Sequence, residues 1–96
     1  MKRVRWTEEA QRDLRNIHEY IYHDSPHYVT LVIAELIASV RRLRQYPESG
    51  RVVPERDDPQ IREVTWRNYR VVYRYPAAVG EVHVLLVFAA QRRFPV

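Results

Sequence analysis

The sequence predicts an α+β domain in the order β-α-α-β-β-β, an antiparallel sheet covered on one face by an N-terminal helical hairpin. Three observations carry this. Between Ala10 and Leu43 the apolar residues recur three and four apart, the period of an amphipathic helix. Between Ile61 and Phe88 they alternate, the period of a half-buried strand. One proline-bearing break, Asp24-Ser25-Pro26, divides the helical half, and helices joined by so short a link lie antiparallel.

The elements follow in order. Lys2 to Trp6 alternates, with Val4 and Trp6 on one side and Arg3 and Arg5 on the other, and reads as a short strand. Thr7 suits a helix N-cap, and Glu8 and Glu9 suit the positive end of the helix dipole. Ala10, Leu14, Ile17 and Ile21 form one face of a helix ending near Tyr22 or His23. Ser25 as N-cap and Pro26 at the first helical position predict the start of a second helix. Its stripe of Val29, Ile33, Leu36, Val40 and Leu43, widened by Val32 and Ile37, runs until Pro47 stops it near Tyr46. Pro47 to Gly50 is a turn, and residues 51–60 read as a polar loop. Strands follow at Ile61 to Trp66, Tyr69 to Tyr75 and Glu81 to Phe88, with turns at Arg67-Asn68, where Asn68 tolerates a positive φ, and at Pro76 to Gly80.

At 96 residues the chain is one domain, spanning 1–96, without repeats or linkers. Hydrophobic residues at 46% exclude a mostly disordered chain, and the apolar runs are too short to cross a bilayer, so no membrane partner is expected. Met1, Lys2 and Arg3 lead into a strand pattern and not into the apolar core of a signal peptide. The absence of cysteine removes thiol chemistry and disulfides, and fits a cytoplasmic location. The net charge is +4, and only Lys2 among sixteen cations is a lysine. From Ile61 onward six arginines meet two glutamates, so the C-terminal third carries the whole excess. Arginine grips carboxylate and phosphate in a planar fork, which suits an anionic partner.

Alternation sorts the strands into faces. Tyr69, Val71, Tyr73 and Tyr75 oppose Arg70, Val72 and Arg74; Arg62, Val64 and Trp66 oppose Ile61, Glu63 and Thr65. In the last strand Val82, Val84, Leu86 and Phe88 oppose Glu81, His83, Leu85 and Val87. An arginine-bearing sheet face is either a platform for an anionic partner or a solvated face with cross-strand Arg–Glu pairs, such as Arg70 or Arg62 with Glu63 or Glu81. With only Gly50 and Gly80 there is no glycine loop for phosphate. His23 and His27 straddle a helix break, and His18 and His83 stand apart, so no metal site and no cofactor are expected.

The chain resembles the ParE/RelE superfamily of bacterial type II toxins. The resemblance rests on Trp6-Thr7-Glu8-Glu9-Ala10, Asp13-Leu14, Ile17, Tyr20-Ile21 and Ser25-Pro26, then Leu43, Pro47, Gly50-Arg51 and Pro54-Glu55. It continues through Ile61-Arg62-Glu63-Val64, Tyr69 to Arg74 and a last apolar strand ending in Arg92-Arg93, in the family's order over nearly the whole chain. The ParE branch, often described as plasmid-stabilisation proteins, is the nearer likeness. The resemblance implies the toxin of a toxin–antitoxin pair that inhibits growth, a hetero-oligomer with a cognate antitoxin, and inhibition of DNA gyrase by protein binding. It then assigns Arg62, Arg70, Arg74, Arg92 and Arg93 to a contact surface for an anionic partner or target. The alternatives it implies are a RelE-like mRNA endoribonuclease on the ribosome, with Arg70 and Glu55 catalytic, or an inactive regulatory homologue. Against the nuclease pattern, Phe88-Ala89-Ala90-Gln91 and Phe94-Pro95-Val96 stand where relatives carry a histidine or a terminal tyrosine.

Overall fold

Thr7 turns the chain from strand to helix. Its hydroxyl accepts from the Ala10 N–H at 3.1 Å and donates to the Val84 carbonyl at 2.9 Å, so one side chain caps a helix and pins it to the sheet. In the computed structural model, which describes residues 1–95, five strands and two helices follow the expected order with one addition. The elements are β1 (Arg3–Trp6), α1 (Glu8–Asp24), α2 (Val29–Arg41), β2 (Arg51–Val52), β3 (Ile61–Trp66), β4 (Tyr69–Arg74) and β5 (Glu81–Ala89). The spatial order is β1-β5-β4-β3-β2. The meander from β2 to β5 is antiparallel, whereas β1 joins the edge parallel to β5, with Arg3 opposite Glu81 and Trp6 opposite Val84. The sheet is therefore mixed. The helical hairpin carries the chain across one face from β1 at one edge to β2 at the other, and the meander returns to lay β5 beside β1.

Four local expectations are corrected. Ser25 does not cap the second helix: its N–H donates to Ile21 at 2.8 Å, ending α1, and its carbonyl accepts from Tyr28 and Val29. Pro26 to Tyr28 form a turn, and α2 begins at Val29. The second helix ends at Arg41 and tightens into a 3₁₀ turn over Arg42–Arg44, short of Tyr46. Arg51 and Val52, assigned to the loop, pair with Glu63 and Arg62 as β2. At the β3–β4 turn the positive φ falls on Arg67, at 53°, and not on Asn68.

The sheet has two apolar faces. The helix side gathers Ala10, Ile17, Leu36, Val40 and Leu43 against Val71, Tyr73, Val82, Val84 and Val87. The opposite side holds a smaller cluster of Val53, Ile61, Val72 and Phe88, with Leu86 and Phe94 against it. Strict alternation in β5 is therefore wrong. Val72 pairs with Leu86 but Tyr73 pairs with Val84, so Leu85 is an extra residue that exchanges the faces beyond it. Val82 and Val84 stay on the helix side, Val87 joins them, and Leu86 and Phe88 turn to the arginine side. The Val87 N–H next to this bulge donates to the Asp13 carboxylate of α1 at 3.0 Å.

Candidate functional site

Arg70 lies on β4, on the sheet face away from the helices, and is only 9% exposed. β-Alternation puts it beside Glu63 of the adjacent strand, and Glu63 is 2% exposed. A buried charge persists only when it is paired and hydrogen-bonded. Arg70 Nε donates to Glu63 Oε1 at 2.6 Å, and Arg51 Nε of β2 donates to the other oxygen. The outward fork of Arg70 is filled as well: Nη1 and Nη2 donate to the two carboxylate oxygens of Glu55, each at 3.0 Å. The rings of Phe88 and Phe94 flank the guanidinium, each with its centroid 5.2 Å away, and meet edge to face at 5.6 Å. Arg70's hydrogen bonds hold the Glu55 carboxyl below its ordinary value, and those of Glu55 in turn raise Arg70.

The bulge makes this arrangement possible. Without the extra residue at Leu85, Phe88 would face the helices; with it, Phe88 lies opposite Arg70 and under its guanidinium. A cleft of about 530 Å³ opens alongside, lined by Glu55, Arg56, Arg70, Arg92, Arg93 and Phe94.

The other arginines read from the sequence separate. Arg74 shares the face of Arg70 but pairs with Asp58 at 3.3 Å at the far end of β4. Arg62 faces the helix side, where it donates to the Gly50 carbonyl at 2.8 Å and reaches the Glu48 carboxylate at 3.7 Å. The structure thus brings together Arg70, Arg92 and Arg93 with Glu55, and leaves Arg62 and Arg74 outside that cluster. The pairing of Arg70 with Glu63 is the cross-strand alternative, whereas Arg62 takes Glu48 and Glu81 takes His83 at 3.0 Å. His83 holds the Glu81 carboxyl below its ordinary value. Among the described residues no three His, Asp or Glu side chains cluster as for a metal ion.

Sequence reasoning missed Arg51, Phe94 and Asp13. Arg51 was legible only if residues 51–52 were a strand; Phe94 gave no signal, since it reaches Arg70 from beyond the last strand. Asp13 borders a second cleft of about 430 Å³ between α1 and the ends of β4 and β5, with Ile17, Tyr20, Tyr69 and Arg92. Burial raises the Asp13 carboxyl, partly offset by the Val87 N–H, and burial raises the Tyr69 phenol.

Comparison with known proteins gives a consistent result. Residues 4–94 match the family described as the ParE toxin of type II toxin-antitoxin system, parDE. A curated relative, "Putative toxin Y4kP" of Sinorhizobium fredii, is 35% identical over 94 residues, covering 98% of this chain and 94% of the relative. Among solved structures, the chromosomal ParDE system of P. aeruginosa superposes with a TM-score of 0.79 at 20% identity, covering 95% of this chain and 98% of the other. The isolated E. coli RelE toxin follows at 0.69 and 19% identity, covering 98% and 89%. The RelBE2 toxin-antitoxin complex of Mycobacterium tuberculosis gives 0.61 and 22%, covering 92% and 96%. These structures share the fold of the chain.

Proposed function

The chain belongs to the ParE toxin family of type II toxin–antitoxin systems, and from that premise we propose that it arrests growth by binding DNA gyrase and not by cutting RNA. The structural neighbours include the ParDE and RelBE2 systems, in which toxin and antitoxin are paired, and an antitoxin is likewise the partner here. In this reading the protein acts in the cytoplasm, stabilises the replicon that carries its pair of genes, and is held inactive as a hetero-oligomer with the antitoxin.

One observation supports binding over nuclease chemistry. Every nitrogen of the Arg70 guanidinium already serves a carboxylate, Nε that of Glu63, Nη1 that of Glu55, and Nη2 both. A phosphoryl-transfer site needs cationic donors aimed at the position where charge develops, and here that position is filled by Glu55. Glu55, with its proton acidity increased by Arg70, is also a poor general base.

Induced expression in a bacterial host without antitoxin tests the proposal. The expected result is growth arrest with filamentation and an SOS response while transcripts stay intact. Arrest with transcripts cut within codons overturns it in favour of the ribosome-dependent nuclease. Normal growth with folded protein points instead to a regulatory homologue.

A further inference from the structure

The Arg70 cleft has the geometry of a recognition site occupied by its own chain. Arg70 is fixed from behind: Glu63, buried between strands, takes Nε, and Phe88 and Phe94 hold the plane of the guanidinium. Only its outward face is exchangeable, and the group there is a loop carboxylate, Glu55, whose side chain is 40% exposed. A bidentate fork against a planar carboxylate is the strongest ordinary pairing of an arginine. Around it, Arg56, Arg92 and Arg93 form no salt bridge among the described residues, and Arg92 feels Asp13 only at longer range. Five arginines, counting Arg51, therefore surround two carboxylates, a local excess of three positive charges beside the half-buried ring of Phe94.

We infer that Glu55 is an internal stand-in for a ligand carboxylate. The cleft docks an acidic, extended segment of a partner protein, whose Glu or Asp displaces Glu55 from the Arg70 fork. Neighbouring carboxylates of that segment pair with Arg92 and Arg93, and an apolar side chain between them lies against Phe94 and Pro95. Exchange of one carboxylate for another conserves the planar two-point geometry, and the released Glu55 stays within the field of Arg51. The group already seated on the outward fork is a carboxylate, which favours a carboxylate-bearing partner; a phosphate on the same fork is the competing outcome that the RNA probe reads. The inference deepens the reading of the chain as a protein-binding toxin by naming the chemistry of one contact.

The test is fluorescence anisotropy with a labelled peptide of about twelve residues bearing Glu at every second position, its Gln counterpart, and a single-stranded RNA of similar length. The probes are titrated against wild type, Glu55→Gln and the double variant Arg92→Gln/Arg93→Gln. Removing the internal competitor is expected to tighten the acidic peptide by roughly three- to tenfold, while the double variant weakens it by a similar factor. The Gln peptide is expected to bind neither form. Unchanged or weaker binding by Glu55→Gln overturns the inference, as does tighter binding of RNA than of peptide. A second measurement needs no variant: the Arg70 Nη–H resonances of the wild-type protein, which serve Glu55, are expected to shift on adding the acidic peptide, and fixed Nη–H resonances contradict the exchange. Growth arrest with an SOS response that persists while the peptide fails to bind removes the docking site and leaves the toxin reading standing.

Discussion

At the scale of single residues, the site is a chain of alternating charges, Glu55–Arg70–Glu63–Arg51, in which burial decides what each link contributes. Arg70 and Glu63 are buried, and removing one leaves the other without its partner in a poorly solvated place. Arg70→Ala is expected to destabilise the fold by about 3 kcal/mol, read as a lower urea midpoint at unchanged slope. Arg70→Lys recovers little, because an ammonium cannot serve two carboxylates in one plane. A loss below about 0.5 kcal/mol would show that Arg51 alone satisfies Glu63. The outer link behaves differently. The folded pKa of Glu55 is lowered, so its contribution is present above the ordinary carboxylate value of 4.5 and fades as pH falls through the lower folded value. Wild type and Glu55→Gln are expected to differ in urea midpoint near neutral pH and to converge as pH falls below the lowered folded value of Glu55. A gap that widens in acid would reverse the assigned sign.

At the scale of elements, two devices hold the sheet to the rest of the chain. Tyr73 of β4 reaches the turn after α2, where its hydroxyl donates to the Pro47 carbonyl at 2.8 Å and accepts from the Gly50 N–H at 3.0 Å. A Cβ on Gly50 would stand 2.5 Å from the Glu63 carbonyl oxygen and 2.6 Å from that hydroxyl, so neither side can yield. Gly50→Ala is expected to cost about 2–3 kcal/mol, and Tyr73→Phe about 1–3, both measured by thermal or urea unfolding. Similar stability of Gly50→Ala and wild type would mean that the turn moves away from β3. The second device is the bulge, with Asp13 accepting from Val87. Because burial raises the folded pKa of Asp13, its contribution to stability is fullest in acid and is lost as pH rises through that folded value. Asp13→Asn keeps an acceptor and drops the charge. It is expected to match or exceed wild type at neutral pH, with the advantage vanishing in acid; a variant weaker at every pH would mean that attraction to Arg12 and Arg92 outweighs burial. These devices mark where sequence reading stopped. Helix stripes, the alternation of β3 and β4 and the Thr7 cap follow from local sequence, and the structure has them. The bulge left no mark, because β5 is apolar on both faces and an extra residue does not break its pattern. The parallel pairing of β1 with β5 joins residues nearly eighty positions apart, as does the Thr7–Val84 hydrogen bond, and no local period encodes it. In the site, the Arg70–Glu63 pair was legible as a cross-strand possibility, but the fork to Glu55 and the ring of Phe94 depend on how a loop and a tail fold over the sheet.

At the scale of the whole molecule, charge is separated by role. Arg51, Arg62, Arg67, Arg70 and Arg74 are each tied to an acidic partner, and they brace strands and turns. Arg92 and Arg93, beyond the last strand, are exposed and form no salt bridge among the described residues, so they add field without an ion pair of their own. The physics of exposed charge then separates two measurable quantities. Neutralising surface charges that touch nothing leaves stability within about 0.5 kcal/mol, whereas the same charges steer encounter with an oppositely charged surface over a Debye length of about 10 Å at moderate salt. The double variant Arg92→Gln/Arg93→Gln is therefore expected to unfold at the wild-type temperature, yet to associate with the antitoxin more slowly by about tenfold at low salt. The deficit is expected to shrink as salt rises, with the dissociation rate much less affected. Stopped-flow mixing over a salt series measures this directly. A deficit confined to the dissociation rate would place these arginines in a buried contact and not in a steering field; an equal deficit at every salt concentration would show that shape, and not charge, carries their effect.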